Sequence, residues 1–182
     1  MSQLNSVARL SLSEGRGALR LCNSFNRLSK LRALWEERGI TNTDWLTLLG
    51  EEWSGCDNIS QHKEWLVKKS PLKQAMYEPD LRRFLMTTDE LAAYDALRGP
   101  ISLWRGCYAN NKRGLSWSRD RAAAIRFPTL HRYQQDGQPL LLEAKAKRRD
   151  IIAVKLDRGE SEIIAWGLKP HSVGRILPSL AL

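Results

Sequence analysis

Between residues 26 and 98 the hydrophobic positions recur at helical intervals. In "RLSKLRALWEERG" the residues Leu28, Leu31, Leu34 and Trp35 share one face, and Gly39 supplies a stop. Thr43 is placed to cap the run "DWLTLLGEEW". Ser70 followed by Pro71 reads as an N-cap with proline at the first helical position. Thr87 and Glu90 have the spacing of a capping box ahead of "LAAYDAL", and Gly99-Pro100 ends that helix. No repeat or low-complexity tract interrupts the series.

After Pro100 the pattern changes. "ISLWRG", "LSWS", "PLLLEAKA", "DIIAVKLD" and "SEIIAWG" are short, mostly rich in Ile, Leu, Val or Trp, and separated by turns such as "ANNKRG" and "QQDGQP". One short helix, "RDRAAAIRF", falls among them, with Ser118 as the expected cap and Pro128 as the stop. The fold class expected is α+β. A leader spans residues 1–25, and a helical region spans 26–100 and packs on a small β domain that spans 101–182. The first 28 residues lack a continuous apolar core, which argues against a secretory signal and favours a flexible leader.

Composition narrows the partners. Residues 1–100 carry 14 Lys and Arg against 13 Asp and Glu, whereas residues 101–182 carry 15 against 7. The β half therefore holds nearly all of the net charge of +9, which favours an anionic ligand or partner. Cys22, Cys56 and Cys107 are odd in number and widely spaced, as in reduced thiols. His62, His131 and His171 are equally scattered, so no metal is expected. No run of eighteen apolar residues occurs, and no membrane partner is expected.

The stretch "GESEIIAWG" sets Glu160 and Glu162 on one face at the mouth of a buried strand, roughly 7 Å apart. Two carboxylates that close raise each other's pKa unless a cation stands opposite. Upstream, Arg105 ends a strand and is followed by Gly106. Ser116 and Ser118 share a strand face directly before a helix, with Trp117 turned to the other side as a core residue. A planar guanidinium can meet a diphosphate with two parallel hydrogen bonds. A glycine leaves its backbone open to a ligand, and a serine hydroxyl can orient a carboxylate.

In the order Arg105, Ser116-Trp117-Ser118, Glu160-Ser161-Glu162, the chain resembles the mono-ADP-ribosyltransferases of the arginine–serine–glutamate type, which include bacterial toxins and phage-encoded enzymes. The resemblance covers roughly residues 101–178. It implies a small mixed β-sandwich, NAD as substrate and a macromolecular acceptor, either a protein side chain such as arginine or a nucleic acid. It implies Glu162 as the catalytic carboxylate and Glu160 as the residue that engages the acceptor. Arg105 and Gly106 would hold the dinucleotide, and Ser116 would orient Glu162, with Ser118 keeping the hydroxyl of a position that is commonly threonine. An inhibitory or antitoxin partner is left open. The expected site of action is the cytoplasm, the cell's own or that of a host or target cell. Two other readings stand beside it: an NAD-using RNA 2′-phosphotransferase of the same fold, and a non-catalytic basic module binding phosphates through Arg119, Arg121, Arg126 and "KAKRRD".

Overall fold

The computed structural model describes residues 9–57, 59–157 and 161–177. The chain divides into two compact units at Leu85/Met86. An α-helical N-terminal region is followed by an antiparallel β-sheet.

In the first unit, α1 (Leu12–Arg20), α2 (Arg27–Glu36), α3 (Asn42–Glu52), α4 (Ile59–Lys68), α5 (Pro71–Tyr77) and α6 (Pro79–Arg82) follow one another. The helical spacing read from α2 is its packing face, since Leu28, Leu31 and Leu34 are all buried. Trp65 lies between Trp35 and Trp45, edge-on to both, with ring centroids 6.1 and 5.7 Å apart. These are the edge-to-face distances that aromatic pairs favour. The indole of Trp45 donates to the buried carbonyl of Leu31 at 2.8 Å, so its polar atom is satisfied inside the core.

Two expectations change here. Residues 12–20, expected within a flexible leader, form α1: Ser11 and Glu14 make a reciprocal capping box, and Leu19 is buried. The cap of α3 is Thr41 rather than Thr43, because the Thr41 hydroxyl accepts from the amide of Asp44. Ser70 and the Thr87–Glu90 box cap their helices as expected.

The second unit opens with α7 (Thr88–Asp95), followed by β1 (Ile101–Cys107), β2 (Ser116–Ser118), α8 (Arg121–Arg126), β3 (Leu140–Ala146), β4 (Ile151–Lys155), β5 (Glu162–Ala165) and β6 (Ser172–Arg175). The strands lie in the order β4-β5-β2-β1-β3-β6, and every pairing is antiparallel. β1 pairs with β3 over seven residues, but β1 and β2 meet at the single pair Trp104↔Ser118. The sheet thus consists of two three-stranded groups that diverge from that pair.

Register sorts the side chains onto two faces. Trp117, Ile163 and Val154 align across β2, β5 and β4, and join Leu103, Leu142, Tyr94 and Leu97 in one core. Trp104, Ser118 and Glu162 align on the opposite face. Trp117 is therefore core, as its position in the strand implies. α7 belongs to this unit because Tyr94 and the following Leu97 pack in the sheet's core.

One buried ion pair ties α7 to β4. Lys155 Nζ lies 2.7 Å from Glu90 Oε2, with the two side chains 3% and 4% exposed. The same carboxylate accepts from the amides of Thr87 at 2.8 Å and Leu156 at 3.1 Å. The helix cap and the strand end share one anion.

Candidate functional site

A cleft of about 450 Å³, counted out to open solvent, lies where β1 and β2 diverge. Arg105, Gly106, Ser116, Ser118 and Glu162 all line it, although 57 positions separate the first from the last. β1 supplies Arg105 and Gly106, β2 supplies the serines, and the first residue of β5 supplies Glu162. Glu160 lies outside the described residues.

Arg105 alternates with Trp104 and so belongs to the core face of β1. Its Nη1 donates to the carbonyl of Ser116 at 2.5 Å and its Nη2 to that of Asn111 at 3.2 Å. The guanidinium also lies against Gly114, where an added Cβ would come within 1.9 Å of Nη2. Burial pulls its pKa below the ordinary arginine value, while Cys107 and then Glu162 push it back up. Arginine stays charged under such a shift, so a fixed cation lies within electrostatic reach of Glu162. The planar fork, expected to meet a diphosphate, first of all holds the β1–β2 loop and β2 in place.

Arg105→Ala is accordingly expected to lower stability by about 2 kcal/mol or more, since two carbonyls lose a charged donor. Arg105→Lys should recover only part, because one ammonium cannot reproduce the fork. Urea unfolding of both variants checks this; an unchanged midpoint for the alanine variant would show that the clasp carries no load.

Gly106 is required by space. A Cβ there would lie 1.9 Å from the backbone oxygen of Ala124 and 2.5 Å from Pro128 Cδ. The absent side chain lets α8 pack directly on β1. Tyr108 donates to the carbonyl of Pro128 at 2.9 Å from a buried position, which pins the turn after α8.

The two serines differ in register. Ser118 stands directly opposite Glu162, whereas Ser116 stands opposite Ile164, two positions along the same face. The Ser118 hydroxyl accepts from the amide of Asp120 at 3.0 Å. The cap of α8 is Asp120, whose carboxylate accepts from Ala122 at 2.7 Å, so Ser118 does not serve as the N-cap expected of it. A cap must stand immediately before the helix, and Ser118 is still within β2. The hydroxyl nearest Glu162 in register is thus that of Ser118.

Three contributors escaped the sequence reading. Phe127 follows α8, is 38% exposed, lines the cleft and stacks on Tyr133 with centroids 4.1 Å apart and planes 17° from parallel. Asn111 and Gly114 clasp Arg105. A large aromatic between Arg126 and Pro128, at the end of a short helix, was the available signal for the first. The two clasping residues had none, because their contacts are tertiary.

Two of the four "KAKRRD" cations have other partners: Arg148 pairs with Asp95 and lies over the Tyr94 ring, and Arg149 lies near Asp150. Among the described residues no group of His, Cys, Asp and Glu could hold a metal ion, and no helix is long and apolar enough to cross a membrane. No protein-family model matches the chain, and neither does any curated protein or solved structure.

Proposed function

We propose that the protein is an NAD-dependent mono-ADP-ribosyltransferase acting on a macromolecular acceptor. The observation that carries the reading is the convergence of Arg105, Gly106, Ser116, Ser118 and Glu162 on one cleft. The two three-stranded groups joined at Trp104↔Ser118 are read as the two leaves of a small β-sandwich.

In this reading the nicotinamide end of NAD enters beside Glu162. The exposed face of Phe127 offers a flat platform for an aromatic ring, with Tyr133 behind it holding the ring in place. The backbone of Gly106 grips the carboxamide. Cleavage breaks the bond between ribose C1′ and the nicotinamide nitrogen, and the electron pair leaves with neutral nicotinamide. The ribose that remains has oxocarbenium character, and the carboxylate of Glu162 stabilises that charge and accepts from a ribose hydroxyl. Ser118 steadies the carboxylate from the neighbouring strand. An acceptor nucleophile bonds to C1′ and releases its proton, with Glu160 as the group that engages it. Arg105 holds β2 in place through the carbonyl of Ser116.

The test uses NAD labelled in its adenylate half, incubated with the full chain and separate pools of protein and RNA. Covalent label on one pool, absent with Glu162→Gln, is the expected result. Label on neither pool, with NAD intact, would remove the reading.

A further inference from the structure

We infer that the segment from Lys112 to Arg132, which borders the cleft, is a binding track for single-stranded nucleic acid. It contains Lys112, Arg113, Arg119, Arg121, Arg126 and Arg132 against a single acid, Asp120. That acid is already engaged as the cap of α8. The first five cations are exposed, and none of them forms an ion pair among the described residues.

The first five cations are each tied to a cleft residue by the chain. Lys112 and Arg113 lie between Asn111 and Gly114, the two residues that clasp Arg105. Arg119 follows Ser118, and its amide donates to the carbonyl of Ser161 at 3.2 Å, next to Glu162. Arg121 and Arg126 lie at the two ends of α8, whose middle residues line the cleft.

Apolar surface is interleaved with the charge: Phe127 is 38% and Leu130 46% exposed, and Arg132 lies 4.6 Å over the Tyr133 ring. A duplex keeps its base faces stacked inside and would offer the aromatic positions of this band little beyond phosphates and groove edges. Unpaired bases would cover the apolar positions as well, and that combination is how single strands are held. A strand so bound passes beside Glu162. Its role as the acceptor rests on the transferase reading, but its binding does not.

The experiment titrates the full chain, without NAD, into a fluorescein-labelled oligouridylate of about 16 nucleotides, near the upper site size of one small domain. Anisotropy is read between about 50 and 200 mM salt. The triple variant R119Q/R121Q/R126Q is expected to bind at least about ten-fold more weakly. Its log–log salt slope should be shallower by about 2, at roughly 0.7 per single-strand phosphate contact. K30Q/K69Q/K73Q removes the same charge from the helical unit and should retain the wild-type slope.

Equal losses in both triple variants would reduce the effect to net charge and overturn the track. So would tighter binding of a poly-glutamate peptide than of the RNA, which would point to an acidic protein. Nicotinamide release, assayed in parallel, separates the two proposals. Its collapse in R119Q/R121Q/R126Q would assign these cations to the dinucleotide and overturn the track. RNA binding by a chain that leaves NAD intact would support the track and sink the transferase reading alone. Nicotinamide release without RNA binding would do the reverse.

Discussion

Glu162→Gln is expected to cut nicotinamide release from NAD by two to three powers of ten or more, while leaving fold and NAD affinity nearly unchanged. The substitution keeps shape and removes one negative charge beside the position of the developing cation, where preorganised charge has its largest effect on rate. Glu162 opens β5 and stands opposite Ser118, so an amide of equal size can occupy the same place in the ladder. Binding of intact NAD should persist, because the ribose carries little of the oxocarbenium charge in the ground state. Initial rates give the first quantity and titration calorimetry the second. Retention of more than about a tenth of the wild-type rate would count against Glu162, given the size of the effect anticipated.

The second large effect falls on stability. Glu90→Gln should destabilise the protein by about 3–5 kcal/mol, the usual cost of breaking a buried ion pair by removing one partner. Lys155 is almost wholly buried and would lose the carboxylate that now lies 2.7 Å away. The amides of Thr87 and Leu156 would also compete for one neutral oxygen where two charged ones now serve. E90L/K155M removes both charges, and should recover much of the loss because no buried ion remains. Urea unfolding measures all three proteins. A loss below about 1 kcal/mol for Glu90→Gln would mean that water reaches the pair and screens it.

Where local rules decide, the sequence was readable. Leu28, Leu31 and Leu34 announced the buried face of α2, and Ser70 and the Thr87–Glu90 box announced two helix starts. α1 was obscured because Gly15 and Gly17 weaken its helical propensity, although Ser11 and Glu14 have capping-box spacing. The packing that justifies one of these glycines lies far along the chain: a Cβ on Gly15 would come within 2.6 Å of Leu48 Cδ1. Thr41 and Thr43 are equally able to cap, and so are Ser118 and Asp120. Only backbone geometry chooses between them.

The candidate site divides along the same line. Strand alternation correctly separated Trp117 from the two serines, and motif order picked out five residues that share a cleft. What each residue touches was not legible. Gly106 read as an opening for a ligand, yet the backbone of α8 already requires the glycine. Arg105 read as a free fork, yet two of its nitrogens donate to carbonyls six and eleven residues away. Phe127 looked like the end of an ordinary short helix until the turn after α8 set it on the cleft wall.

The central claim is that this cleft cleaves NAD at the nicotinamide–ribose bond. The most direct measurement is chromatographic quantitation of nicotinamide and remaining NAD after incubation with the wild-type chain and with Glu162→Gln. The account predicts nicotinamide appearing mole for mole with the NAD lost in the wild-type reaction, and almost none with the variant. NAD left intact by the folded wild-type protein, or equal release by both proteins, would contradict it.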